Sequence, residues 1–330
     1  MSIDLYPSII HEGDLSPDDV GDDINEMVDN IYKACKGFGT DEMRLIKELA
    51  RTTPEQRCQV SARYPQVHGK ELKKVMKSEC GNRDFGTALQ FLAVPPDVME
   101  ADMLMKAMKG IGTDETLVYS IICGRSNKEM ELLKKTFFNA HDKDLGRRLD
   151  SELSGDFERL IFNALQAAEE PYDPDFHTDD KVSDDVEAFY KMGQGKLGTN
   201  EAGFFKLLCS SPPEHLKKVN LAYADKHDVT LFHAIDKEFG GKAKDAAVFE
   251  LGMKIKPYDT VAKLIQKACK GMGTDELLLT CTLLRYQQHL PEINVAHQSL
   301  TGKTIQETLK KEIGGDYRRL LEEFVLFQIP

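Results

Sequence analysis

Four copies of a glycine-containing phrase, each followed about forty residues later by a glutamate, are the positions in this chain whose types and spacing point to chemistry. Residues 36–42 read KGFGTDE. The phrase returns as KGIGTDE from Lys109, as KGMGTDE from Lys270 and, more loosely, as KLGTNE from Lys196. The interval from second glycine to glutamate is 40 residues for Gly39 to Glu79, Gly112 to Glu152 and Gly198 to Glu238, and 39 for Gly273 to Glu312. Each glutamate closes an amphipathic segment just ahead of a glycine, in SECG, SELSG, KEFGG and KEIGG.

An acid in the last turn of a helix opposes the helix dipole and costs about 0.3–1 kcal/mol there. Four acids at matched positions therefore ask for a nearby positive charge. The glycine phrase has a simple local reading, in which glycine closes one helix and threonine caps the next. It also lies where backbone carbonyls lose their intrahelical partners and where glycine lets the chain turn them outward together. Carbonyls plus a bidentate carboxylate supply about five hard oxygen ligands, against the six to eight that Ca²⁺ takes. The remaining positions are open to water or a phosphate oxygen. A site with one formal negative charge holds Ca²⁺ weakly alone, so a lipid headgroup that completes the shell would make calcium and membrane reinforce each other. Four such sites add avidity. The loop tips are apolar, with Phe38, Ile111 and Met272 between the glycines and Leu197 before the third-repeat glycine. Two roles fit them, dipping into a membrane interface or stapling the loop against its own helix.

The elements that must position these residues are themselves repeated. The second glycines are separated by 73, 86 and 75 residues, so the chain is a fourfold repeat of roughly 70 residues. In the second copy, Leu117, Ile121 and Ile122, then Leu132, Leu133 and Phe137, then Leu145, Leu149 and Leu153, then Phe157, Leu160, Ile161, Ala164 and Leu165 recur at helical spacing. With the helix before the phrase, each repeat holds about five amphipathic helices, and no segment alternates as a strand does. The expected fold is all-α, four stacked repeats that bury together what one thin unit cannot. The expected segments are a short N-terminal stretch 1–20, repeats 21–94 and 95–168, an acidic linker 169–185, and repeats 186–254 and 255–330. The proline-containing linker EEPYDPDFHTDDKVSDD is expected to divide the molecule into two halves of two repeats.

Composition narrows the function classes. Among 330 residues, 41% hydrophobic and 30% charged is ordinary for a globular protein. The N-terminus lacks a basic signal-peptide start and no stretch approaches the ~20 apolar residues of a membrane span, so a cytoplasmic protein is expected. Seven scattered cysteines without a CxxC pair read as reduced thiols, and the nine histidines show no ligand spacing. A net charge of −12 argues against nucleic acid and against direct adhesion to an anionic bilayer. No enzyme motif survives inspection. In Thr301-Gly302-Lys303-Thr304 the first glycine of a P-loop would fall at His297, and an EF-hand counted from Asp173 puts Thr178 and Asp184 where Gly and Glu belong. A helical-repeat scaffold for protein partners is the alternative, but its usual periods are shorter and need no glycine loop paired with a distant acid.

GxGTDE followed about 40 residues later by an acid, in four repeats of five helices, resembles the annexin family over nearly the whole chain from about residue 20. The resemblance implies a slightly curved disc and reversible, Ca²⁺-dependent binding to acidic phospholipids such as phosphatidylserine, with room for self-association on the membrane and peripheral attachment from the cytoplasm when Ca²⁺ rises. Carried over by position, it implies carbonyls of Cys35, Gly37 and Gly39 with Glu79 in the first site, and Met108, Gly110 and Gly112 with Glu152 in the second. The fourth would use Cys269, Gly271 and Gly273 with Glu312. The third, within GQGKLGTNE, would use Gly193, Lys196 and Gly198 with Glu238, and it carries Asn200 where the other copies have Asp. The helix-start acids Glu42, Glu115, Glu201 and Glu276 fit minor sites or dipole stabilisation. The family also tends to carry an arginine near the end of each repeat's second helix. Arg51, Arg125 and Arg285 match, whereas the third repeat has CSSPPE. Only about 20 residues precede the first repeat, so no long partner-binding tail is expected.

Overall fold

Helix boundaries in this chain are written in side-chain caps. Asp41, Asp114, Asn200 and Asp275 each accept a backbone N–H three residues on, from Arg44, Leu117, Gly203 and Leu278, and so start the helix that follows each glycine phrase. The threonine of the phrase is not the cap, contrary to the simple local reading. Thr53 and Thr304 build reciprocal capping boxes with Gln56 and Glu307. The TGKT stretch is therefore the join between two helices.

The computed structural model describes residues 3, 5–13, 18, 20–110, 112–193, 200–271 and 273–329, and every regular element among them is a helix. A short α1 (Ser8–Glu12) comes first. The first repeat is α2 (Asp22–Ala34), α3 (Glu42–Ala50), α4 (Pro54–His68), α5 (Leu72–Cys80) and α6 (Asp84–Leu92). The second is α7 (Pro96–Ala107), α8 (Glu115–Ile122), α9 (Asn127–His141), α10 (Leu145–Asp150) and α11 (Gly155–Leu165). The third is α12 (Asp179–Met192), α13 (Glu201–Ser210), α14 (Pro213–His227), α15 (Leu231–Glu238) and α16 (Gly241–Ile255). The fourth is α17 (Pro257–Ala268), α18 (Glu276–Arg285), α19 (Leu290–Thr301), α20 (Ile305–Glu312) and α21 (Gly315–Gln328), with one 3₁₀ turn at Gln287–His289.

The chain divides into two compact units, and the division is not the one expected at the acidic linker. One unit holds residues 5–103 and 261–330, essentially the first and fourth repeats with the larger part of α7, and the other holds 1–4 and 104–260, essentially the rest of the second and the third. In the first-and-fourth unit, α21 packs on α3 and α6, and α18 on α6. Its core is mostly apolar, with Ile31, Leu45, Leu89, Leu320 and Phe324 at full burial. Within it Tyr6, near the N-terminus, donates a 2.5 Å hydrogen bond to the buried Glu100, which also receives Arg285 Nε at 2.8 Å.

In the second-and-third unit, α11 packs on α13 and α16, and α16 on α8. Leu117, Ile121, Leu133, Phe137, Leu149, Leu160 and Ile161 are fully buried as the periodicity required, while Leu132 and Ala164 are half-buried. Gly124 allows the close approach of α8 to α16. It sits at φ +73°, a Cβ there would meet Met253 Cβ at 2.4 Å, and its N–H donates to Glu250 Oε2 at 2.6 Å. The linker lies inside this unit and is pinned. Asn127 exchanges two hydrogen bonds with the Glu169 backbone, and the Glu170 N–H donates to the Ser210 carbonyl at 2.8 Å. A proline-containing acidic stretch was readable as a separator, but its first two residues are bonded to Asn127 of α9 and Ser210 of α13.

The missing arginine of the third repeat is replaced from a distance. Lys254 of α16 donates to the carbonyls of Leu208, Cys209 and Ser211 at the end of α13, at 3.1, 2.8 and 2.8 Å, and pairs with Glu169 and Glu250 at 3.0 and 3.3 Å. Burial works against its charge, but Glu250 and Glu169 outweigh burial and hold the ammonium above the ordinary lysine range. In the second repeat, Arg125 does the same task locally through the Ile121 carbonyl at 2.7 Å.

Candidate functional site

The described residues that flank each glycine phrase are joined by a backbone clasp. In the first repeat the Asp41 N–H returns to the Ala34 carbonyl at 2.9 Å, clasping the loop shut. The same clasp joins Asp114 to Ala107 at 2.9 Å, Asn200 to Met192 at 2.8 Å and Asp275 to Ala268 at 2.8 Å. One residue thus closes the loop with its N–H and caps the next helix with its side chain. Asn200 performs both tasks, so the change from Asp in the third repeat preserves the geometry and removes only a charge.

Inside three of these loops both glycines lie at positive φ: Gly37 and Gly39 at 117° and 85°, Gly110 and Gly112 at 117° and 88°, Gly271 and Gly273 at 125° and 98°. No atom lies within 4 Å of where their Cβ atoms would stand. The glycines serve the backbone path and not a tight fit, and the space beside their α-carbons is open.

The distant glutamates reach the loops. Thr40 Oγ1 donates to Glu79 Oε2 at 3.2 Å, and Thr113 Oγ1 to Glu152 Oε2 at 2.7 Å. Glu79 occupies the last turn of α5, and Glu152 lies just beyond α10. The field of Glu79 is felt in its loop, where burial and then this carboxylate push the Cys35 thiol up to about 12. In the fourth repeat, burial and then Glu312 push Cys269 up to about 11. The fourth copy differs in detail. Thr274 donates to the backbone carbonyl of Glu312 at 3.2 Å, and the carboxylate instead meets Lys311 at 3.1 Å. The interval shorter by one residue has changed which part of the glutamate faces the loop. In the third repeat Gly193 lies against Glu238, with 3.3 Å between the position of a Cβ and Glu238 Cγ. Gly193 has φ −98°, so it does not repeat the left-handed turn of the others. Lys196 and Gly198, as well as the apolar tips Ile111, Leu197 and Met272, lie outside the described residues. The remaining tip, Phe38, is fully exposed and packs against nothing, which removes the staple role for that residue.

Among the described residues no three His, Cys, Asp or Glu side chains converge as a metal-binding group. The donors the loops offer are carbonyls and one carboxylate each, a set for a hard cation and not for a thiolate- or imidazole-bound one. The second loop also holds a cation of its own. Arg148 of α10 donates to the Met108 carbonyl and pairs with Glu152 Oε1 at 2.6 Å, so a guanidinium bridges two of the expected ligands. Sequence reasoning missed this arginine and the threonine tether, although both signals were present: threonine stands in every copy of the phrase, and Arg148 is four residues before Glu152.

A fourfold helical repeat whose loops and acids meet in this way defines a class, and comparison identifies it. A model of the family described as Annexin matches residues 27–89, 99–163, 184–249 and 260–323. The chain belongs to the annexin family. It is 32% identical to annexin A13 of Mus musculus, over 91% of this chain and 94% of that protein. It is 33% identical to annexin A7 of Dictyostelium discoideum, over 89% of this chain but only 63% of that longer protein. The solved structure titled annexin III superposes with a TM-score of 0.86 at 26% identity, covering 94% of each chain. The family is one of calcium-dependent phospholipid-binding proteins, not of enzymes.

Proposed function

We propose that this chain binds acidic phospholipid surfaces reversibly, through Ca²⁺ held between glycine-loop carbonyls and a distant glutamate in each repeat. The observation that carries the reading is the threonine tether, Thr40 to Glu79 and Thr113 to Glu152, which brings a carboxylate from 39 residues away to the mouth of a carbonyl-lined loop. Cys35, Gly37 and Gly39 with Glu79 would hold the first ion, and Met108, Gly110 and Gly112 with Glu152 the second. Cys269, Gly271 and Gly273 with Glu312 would hold the fourth after the carboxylate turns from Lys311, and Gly193, Lys196 and Gly198 with Glu238 the third. Calcium bound there supplies positive charge and open coordination positions to a lipid phosphate. The chain's own part is to present ordered carbonyls, to aim the carboxylate and to place Phe38 in the solvent beyond the loop.

Net charge of −12 supports the need for a cationic bridge, since the protein has no general attraction for an anionic membrane. No described helix is long and apolar enough to cross a membrane. Peripheral attachment from the cytoplasm is the matching location. The test is co-sedimentation with vesicles. The protein should pellet with phosphatidylserine vesicles in Ca²⁺, be released by chelator, and pellet much less with phosphatidylcholine. Equal pelleting in EDTA would falsify the bridging reading.

A further inference from the structure

We infer that Arg148 is a tethered competitor for the second-repeat cation site, a residue that raises the calcium needed to load that loop above the level needed by the first. The inference rests on the calcium reading above. Its basis is that Arg148 holds both ends of the expected ligand set at once. One terminal nitrogen donates to the Met108 carbonyl; the other pairs with Glu152 Oε1 at 2.6 Å and reaches Ser151 Oγ at 3.3 Å. Glu152 Oε2 is meanwhile taken by Thr113, so both carboxylate oxygens are engaged without any ion. The pair is partly buried, with the Arg148 and Glu152 side chains 25% and 21% exposed, where solvent screens the attraction less than at an open surface.

An arginine four residues before the glutamate stands in the second repeat and in none of the other three. The residue four before the glutamate is Val75 in the first, Ala234 in the third and Thr308 in the fourth. Glu79 meets its loop with the Thr40 hydroxyl and, among the described residues, no ion pair. The Lys311 partner of Glu312 is 66% exposed and contacts the carboxylate from the adjacent residue, a weaker restraint. The guanidinium is also imperfectly held. Its Nε is buried and makes no hydrogen bond, so release of Arg148 into solvent recovers hydration for a group that the closed state leaves unsatisfied. An incoming divalent ion must displace Arg148 from both Met108 and Glu152. The two sites then load in order, first repeat before second, and a graded response replaces a single threshold.

Two measurements on the full chain test this. Calcium titration by calorimetry in a Glu79→Gln background isolates the second repeat from its strongest neighbour. There Arg148→Gln should lower the calcium needed for half-saturation roughly three- to tenfold, the worth of a half-buried ion pair with its carbonyl hydrogen bond. Adding Glu152→Gln should abolish the gain. On the unmutated chain, the Arg148 side-chain resonances should be protected from solvent exchange without calcium and lose that protection as calcium is added. Unchanged or weaker calcium binding in Arg148→Gln, or an Arg148 signal that stays protected at saturation, overturns the inference. Wild-type protein that neither takes up calcium nor pellets with phosphatidylserine vesicles overturns the underlying reading instead.

Discussion

Thr113 Oγ1 donates a 2.7 Å hydrogen bond to Glu152 Oε2 across 39 residues, tying a helix-start loop to the end of another helix in the same repeat. The tether sets the angle at which the carboxylate faces the loop. Thr113→Val keeps the shape and removes the hydroxyl, so the calcium requirement for vesicle binding should rise about threefold, the worth of one oriented hydrogen bond. In a Glu152→Gln background the same substitution should have no further effect on half-maximal calcium.

The glutamates should differ in a defined order. Glu79→Gln and Glu152→Gln should each raise the calcium needed for vesicle binding, and Glu312→Gln should raise it less, because that carboxylate faces Lys311 rather than its loop. Stability without calcium separates the first two. Glu79→Gln removes an acid from the last turn of α5 and should leave the fold as stable or up to about 1 kcal/mol more so. Glu152→Gln loses the Arg148 pair and should be neutral or up to about 1 kcal/mol less stable, as read by denaturant unfolding.

Phe38 offers a direct reading of membrane contact. Being fully exposed, it contributes no packing, so Phe38→Ser should leave the thermal midpoint unchanged. Vesicle affinity at saturating calcium should fall, and the residual binding should become more sensitive to salt. Unchanged affinity at every salt concentration would leave headgroup bridging as the whole of the contact.

Lys254 holds the second-and-third unit together at the end of α13. Lys254→Met leaves Glu250 and Glu169 without their counter-charge and three carbonyls without a donor, so it should cost about 3–5 kcal/mol in denaturant unfolding. Arg51→Met on the exposed side of the other unit, where the partner is Glu323, should cost about 1 kcal/mol or less.

Acid should weaken the same unit through Asp185. Burial opposes its charge, but hydrogen bonds from His215 and Lys181, each at 2.7 Å, outweigh burial and hold the carboxyl below the usual aspartate range. A depressed folded value means that the stability is complete above the unfolded value of about 3.9 and is lost as pH falls through the folded one. Asp185→Asn should lower stability at neutral pH and flatten the acid limb of the stability curve below about pH 4. An identical acid limb in the variant would assign the loss to other carboxylates.

What the sequence made legible follows the range of the interactions involved. The helices and the fourfold repeat were readable because their periodicity is local, and Leu117, Ile121 and Phe137 are buried where that pattern put them. The pairing of repeats was not readable. It depends on which faces of α11 and α16 meet, and the linker that looked like a divider is bonded into one unit through Glu169 and Glu170. The role of Thr40 and Thr113 was hidden because threonine and aspartate both cap helices and stand side by side in the phrase; the carboxylate won the cap and freed the hydroxyl for the glutamate. Lys254 was invisible as the substitute for the missing arginine because the carbonyl of Leu208 lies 46 residues away.

The clasp from Asp41 to Ala34 and its three counterparts has a consequence for time as well as for shape. Closing the loop costs conformational entropy, and the clasp settles that cost during folding rather than on ligand arrival. An ion entering such a loop orders little new backbone, so the heat-capacity change on uptake should be small. Uptake should also be fast, set by the exchange of the ion's water and the swing of a side chain. The chain is in this sense wound before the signal comes, able to follow a brief pulse of calcium without first having to refold.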